Sequence, residues 1–102
     1  MMKHRPPLCA IALALAATLA FAGSASAECY ADYKAKKDSP LRLHYGVILL
    51  DDADCDRPRA ADRAISERIA VDGWTLLNVL SIFGPKGLAE RTESAGKFYL
   101  RY

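Results

Sequence analysis

The chain has little of what most active sites need. Its 102 residues include three cysteines, two histidines and one tryptophan. No Cys-x-x-Cys pair is present, which removes the common dithiol redox motif. Gly-x-Ser-x-Gly, a phosphate-cradling glycine loop and a zinc ligand set are also missing. With no nucleophile, base and orienting partner in a recognisable arrangement, the sequence does not read as an enzyme. It carries no cofactor motif, and no cofactor is expected. The longest apolar run, Leu8 to Phe21, falls short of the roughly 20 residues that cross a bilayer.

What is present begins with that run. Lys3, His4 and Arg5 precede it, and Ala25-Ser26-Ala27 follows, just before Glu28. A basic head, an apolar core and small residues before a cut are the signature of a secretory signal peptide. Residues 1–27 are expected to be removed, leaving residues 28–102 as a single domain in the periplasm or the medium. No membrane anchor is expected after cleavage. Glu28 stands before Cys29 where a lipid-attachment signal needs a small residue, and no Arg-Arg pair precedes the run, so the general export route is favoured. The net charge of +2 leaves with Lys3 and Arg5, because residues 28–102 hold 12 Lys and Arg against 12 Asp and Glu. A neutral domain is not expected to bind nucleic acid, which selects a basic surface.

Export also decides the cysteines. Cys9 is lost with the signal, and Cys29 and Cys55 remain as a pair in an oxidising compartment. A disulfide between them closes a loop worth roughly 3.5 kcal/mol in the chain-entropy account. A domain this small buries only about 60% of its unfolded surface, so the staple matters to its stability.

Along the domain, Cys29 to Lys37 reads two ways. Ala31, Ala35 and a late cluster of lysines favour a short helix, while Cys29, Ala31, Tyr33 and Ala35 alternate like a strand. The helix is the preferred reading. Leu41 to Leu50 alternates as a strand, with Leu41, Leu43, Tyr45, Val47 and Leu49 on one face and Arg42, His44 and Gly46 on the other. Asp56 is placed to cap a helix from about Arg57 to Asp72, with Pro58 in its first turn and Ala61, Ala64, Ile65 and Ile69 as its apolar stripe. Gly73 suits a left-handed C-cap. Trp74 to Phe83 reads as the central strand. A turn at 84–87, a helical turn near 88–94 and a last strand at 97–102 complete the chain. In that strand Phe98, Leu100 and Tyr102 face inward. The expected fold is α+β: a β-α-β-β sheet with one main helix on one face and a short N-terminal helix held by the disulfide. The first two strands are expected to be parallel neighbours and the last antiparallel to one of them.

The run Ile69-Ala70-Val71-Asp72-Gly73-Trp74-Thr75-Leu76-Leu77, followed by Phe98-Tyr99-Leu100-Arg101, resembles small bacterial domains of unknown function in which a helix ends in Gly-Trp and enters a strand. With Cys29-Tyr30-Ala31-Asp32-Tyr33-Lys34 and Leu41-Arg42-Leu43-His44-Tyr45-Gly46, the domain also resembles uncharacterised exported proteins of Gram-negative bacteria. The resemblance implies a fold and no activity. Peptidoglycan-binding repeats of division proteins share the export, the size and a βαβ start, but the chain lacks their second βαβ half.

Three groups of residues carry candidate chemistry. Asp52-x-Asp54-x-Asp56 has the alternate-carboxylate spacing of a calcium loop. Arg57 holds the glycine position and Arg63 the bidentate glutamate position, so no metal site is expected. Arg42, His44, Tyr99 and Arg101, with Lys97, would form a cationic sheet face suited to a carboxylate, a phosphate or an acidic surface. Tyr30, Tyr33, Tyr45 and Tyr99 would make a partner surface where they are exposed together, and otherwise pack as core. The leading expectation is an exported binding module, an inhibitor or accessory of another exported protein. The alternative is a small anionic-ligand or cell-wall-associated binding protein that uses the basic sheet face.

Overall fold

Cys29–Lys37 forms strand β1, where the local composition favours a helix. The computed structural model describes residues 28–102; residues 1–27, with the expected signal peptide and Cys9, lie outside them. The alternation of Cys29, Ala31, Tyr33 and Ala35 prevails because β1 is paired along both sides and largely buried. Strand pairing and burial outweigh the weak helix preference of a few alanines and lysines. A turn with a cis Ser39–Pro40 bond leads to β2, Arg42–Leu50, which pairs antiparallel with β1 from Cys29↔Leu50 to Lys37↔Arg42.

Helix α1, Pro58–Ile69, follows the acidic loop. Proline opens it as expected, because the first turn has no use for that missing N–H. Arg57 rather than Asp56 holds the cap position, with no side-chain bond. A 3-10 turn at Ala70–Asp72 extends the helix, and Gly73 ends it at φ 85°, the left-handed conformation expected there. Strand β3, Thr75–Phe83, then pairs antiparallel with β1. The sheet order is β2-β1-β3, so β3 lies at an edge and β1 holds the centre that the sequence suggests for Trp74–Phe83. β2 and β3 run in the same direction but are separated by β1 and are not the expected neighbours.

The inner face of the sheet packs on α1. Ala61, Ile65 and Ile69 meet Ala31, Tyr33, Ala35 and Ile48 in one core. Fully burying an isoleucine side chain is worth about 1.5–3 kcal/mol, so Ile65 and Ile69 anchor the helix. The phenol end of the Tyr33 ring lies against Gly46, where any Cβ would come within 2.5 Å of it. His44, Gly46, Ile48 and Leu50 therefore face the core, while Leu41, Leu43 and Leu49 of the more apolar-looking face are exposed. The Cys29–Cys55 disulfide is present, with Cα atoms 5.9 Å apart, and ties the acidic loop to the start of β1.

The outer face is covered at one end only. Helix α2, Ala89–Ala95, seats Ala95 on Tyr30 and Val47, with Tyr99, Phe83 and Leu88 around them. The last residues do not form the expected antiparallel strand. They make a 3-10 turn at Gly96–Phe98 and one parallel bridge, Val47↔Tyr99. Gly96 and Leu100 both sit at φ 54°, which breaks the regular extended path. Phe98 and Tyr102 do turn to the core as expected, whereas Leu100 is exposed. The Leu100 N–H donates to the Val47 carbonyl (2.8 Å), and Arg68 donates to the carbonyls of Leu49 and Tyr102 (2.6 Å each). These bonds strap the C-terminal segment along the outer edge of β2.

Candidate functional site

Of the four residues expected on one basic sheet face, Arg42 and His44 both meet Trp74 at one end of the sheet, and Tyr99 and Arg101 lie elsewhere. Arg42 is exposed at the start of β2, and His44, two residues on, is buried. Tyr99 packs beside Val47 under α2, and Arg101 sits 4.0 Å from Asp72. Trp74 and Phe98 form the surroundings of His44, and no sequence spacing joins them to it.

His44 lies in an aromatic cage. Phe98 stacks on its ring with centroids 3.6 Å apart and planes at 9°, and Trp74 meets it edge-on at 4.3 Å. Tyr33 approaches from β1, its oxygen 3.0 Å from Nε2. Burial raises the Tyr33 pKa, so its hydroxyl stays protonated beside the neutral imidazole, and the His44 tautomer sets which of the two donates. Nδ1 is buried with no partner among the described residues. Burial, with the positive charges of Lys37 and Lys97, pushes the His44 pKa down to about 4. A histidine that is neutral, enclosed and aromatic-stacked fills core space at neutral pH and offers no accessible base.

The cage carries cations on its outside. Lys37 Nζ stands 4.6 Å from the Trp74 ring centroid, Arg42 Cζ 6.0 Å from it, and Lys97 Nζ 5.4 Å from that of Phe98. Among the described residues none of the three has a carboxylate within 4.0 Å. They gather because the β1–β2 turn, the Gly73 cap and the 3-10 turn at Gly96–Phe98 meet at one end of the sheet. Cations over aromatic faces are stabilised there by about 0.5–1 kcal/mol at exposed sites. Lys37 joins Arg42 and Lys97 at this end, and its place beside Trp74 has no signal in spacing.

The second polar constellation lies under α2. Asp32 of β1 accepts from Ser81 Oγ (2.6 Å), Tyr45 Oη (2.8 Å) and Arg91 Nε (3.0 Å). Burial by itself would raise the Asp32 carboxyl. The bonds from Ser81, Tyr45 and Arg91, with the Arg91 charge, outweigh it and hold the carboxyl below the usual carboxylate range. Burial and the bond to Asp32 push Tyr45 up to about 12. Arg91 also covers the Phe83 ring at 3.9 Å and donates to the Gly87 carbonyl (2.7 Å). The carboxylate is ionised and fully engaged, so the cluster pins α2 to all three strands.

Beyond α2 none of the described residues covers the outer face. Leu41 and Leu43 are 64% and 66% exposed, and Leu77 of β3 is 49% exposed. Lys34 and Lys36 stand among them: Lys34 lies opposite Tyr45 and Asn78, and Lys36 opposite Leu43 and Thr75. A shallow groove of about 270 Å³ runs between Lys34, Leu43, Tyr45 and Leu77. At the other end of the sheet, Glu28, Asp52 and Asp56 line a groove of about 560 Å³ beside the disulfide. Asp52–Asp54 forms a 3-10 turn, and among the described residues no three His, Cys, Asp or Glu converge to hold a metal ion. The four tyrosines do not form one exposed surface. Tyr33 and Tyr30 are buried, while Tyr45 and Tyr99 pack at the edge of the α2 cluster.

Fold and site together define a disulfide-stapled α+β domain with a three-stranded antiparallel sheet between two unequal helices. The chain matches no protein-family description, and neither curated proteins nor solved structures show a significant match to it. Among the described residues no helix is long and apolar enough to cross a membrane.

Proposed function

We propose that this chain is an exported interaction module that binds another exported protein through the bare end of its outer sheet face. The role that suits such a module is an inhibitor or accessory of its partner. The observation that carries this reading is the exposure of Leu41, Leu43 and Leu77 on a face that α2 covers only at its far end. Contiguous exposed apolar side chains with a polar rim are typical of docking surfaces. Lys36 is already paired with Asp38 at 3.3 Å, so Lys34 sets the complement: an apolar patch with a carboxylate at its border. The disulfide is compatible with a periplasmic or extracellular setting, and the signal-like N-terminus supports export. Affinity capture from periplasmic extract with the oxidised chain tests the reading. One stoichiometric partner, lost with Leu43→Asp and Leu77→Asp, is the expected result. The same captured proteins with and without those substitutions would refute it.

A second reading has its own observation. Lys37, Arg42 and Lys97 crowd around Trp74 and Phe98 with no carboxylate beside them among the described residues. Such a cationic end suits a small anion or an anionic cell-wall polymer. A screen of phosphate and glycan ligands that finds binding weakened by Arg42→Ala and Lys97→Ala together would favour it.

A further inference from the structure

β3 leaves a row of backbone groups unused. Its inner side pairs with β1, and its outer side has no strand beside it among the described residues. The other edge of the sheet is treated differently, because the Leu100 N–H of the C-terminal segment takes the Val47 carbonyl and the Arg68 side chain of α1 takes that of Leu49. Natural edge strands are kept apart by lysine or other charges, by proline or by bulges; β3 has two bulges but neither of the other devices. From Gly73 through Pro85 the chain has no charged residue and no proline before Pro85 itself. Two register shifts against β1 leave Leu77 and Leu80 without partners there, and these are 49% and 44% exposed. Beside this edge runs a groove of about 500 Å³, lined by Pro58, Leu77, Val79 and Ile82, with Asp62 its one charged side chain.

We propose that the chain forms a two-fold dimer in which two β3 edges pair antiparallel, joining the sheets into one of six strands. A second copy is the occupant that fits the charge pattern. An uncharged strand brings no like charges into opposition across a dyad, and each copy supplies the donors and acceptors that the other lacks. Closure follows from the second edge. Among the described residues each molecule has one open edge and one edge occupied at Val47–Leu49, so pairing is expected to stop at two and not run on into a filament. The dimer leaves the Leu41 and Leu43 end of each outer face open, and one assembly then presents two such faces.

The test is the mass of the chain, expressed from Met1 and purified oxidised, by sedimentation over about two decades of concentration. The expected result is a dimer at the upper end. Leu80→Lys sets like charges near the dyad and is expected to weaken the dimer about tenfold or more with the melting temperature unchanged. Leu80→Glu is expected to do the same, and mixing the Lys and Glu chains restores the dimer. Amide hydrogen exchange supplies a second readout, since outward-facing β3 amides become protected only in the dimer. A wild type that stays monomeric throughout overturns the proposal, as does a dimer indifferent to both substitutions. The interaction reading of the outer face is judged separately, because Leu43→Asp lies away from β3 and tests that face alone.

Discussion

Replacing His44 with phenylalanine should flatten the acid side of the stability curve. In the folded chain the His44 pKa is pushed down to about 4, against 6.5 for the free side chain. The unfolded chain therefore takes up a proton as the pH falls through 6.5, and the folded chain resists until about 4. Stability is complete above the unfolded value and is lost as the pH drops across that window. The loss should reach about 2 kcal/mol by pH 5 and about 3 kcal/mol below pH 4. The groups around the ring give the proton no compensation. Lys37 approaches from the end of β1, Arg42 from β2 and Lys97 from the C-terminal turn, while Tyr33, Trp74 and Phe98 supply only a hydroxyl and aromatic walls. The Asp32 carboxyl, held low, contributes in the same direction but only below its unfolded value near 3.8, so the interval from pH 7 to 5 isolates the histidine. Urea unfolding at the two pH values, followed through Trp74 fluorescence, reads the effect directly, since that indole touches the ring. The wild type should lose about 2 kcal/mol between them and His44→Phe well under 1 kcal/mol. Equal losses in the two chains would refute the account.

Other expectations concern the supports of the fold. Gly46→Ala forces a methyl against the Tyr33 ring and should cost about 1–3 kcal/mol; the cost should shrink in a Tyr33→Leu background, and an unchanged cost there rules out the steric cause. Asp32→Ala strips the acceptor from Ser81, Tyr45 and Arg91 and should cost about 3 kcal/mol. Hydrogen exchange should then show α2 opening before α1, and a simultaneous opening would count against the pin. Reducing Cys29–Cys55 should lower unfolding free energy by roughly 3.5 kcal/mol for its sequence separation of 26. Two thiols that alkylate in the native, unreduced protein would show that the bond does not form.

Local pattern alone makes three elements legible: β2, α1 and β3. Their alternation, stripe and punctuation by Pro58 and Gly73 agree with the tertiary result to within a few residues. β1 is ambiguous because its nine residues satisfy helix propensity and strand alternation at once. Only pairing on both flanks settles it, and pairing is not a local property. The inward face of β2 escapes local reading for a related reason. Leu41 and Leu43 look like core by composition, but the core follows the close approach of Tyr33 to Gly46, between strands whose pairing no local pattern announces. His44 looks like a surface polar residue in the alternation; its burial depends on Tyr33, Trp74 and Phe98 arriving from three other segments. Asp32 gives no signal at all, since its partners lie 13, 49 and 59 residues away.

The same contacts that close most of the molecule decide what remains open. α1 seals the inner face because its stripe of Ala61, Ile65 and Ile69 fits the small residues of β1. The C-terminal segment seals the β2 edge because Arg68 and the Val47 carbonyl hold it there. α2 is too short to do the same for the outer face. It spans seven residues, about 10 Å of helix, against strands of nine residues and about 30 Å. Asp32 fixes it near the Tyr30 and Phe83 end, and nothing on the helix reaches Leu43 or Leu77. Among the described residues two apolar surfaces are left, the outer face near Leu43 and the edge of β3, and they meet at Leu77. Covering that single side chain changes both, so Leu77→Asp should weaken partner capture and dimer together, whereas Leu43→Asp should weaken capture alone and Leu80→Lys the dimer alone. This pattern of three substitutions distinguishes two adjoining surfaces from one broad apolar patch, on which every substitution would have the same effect.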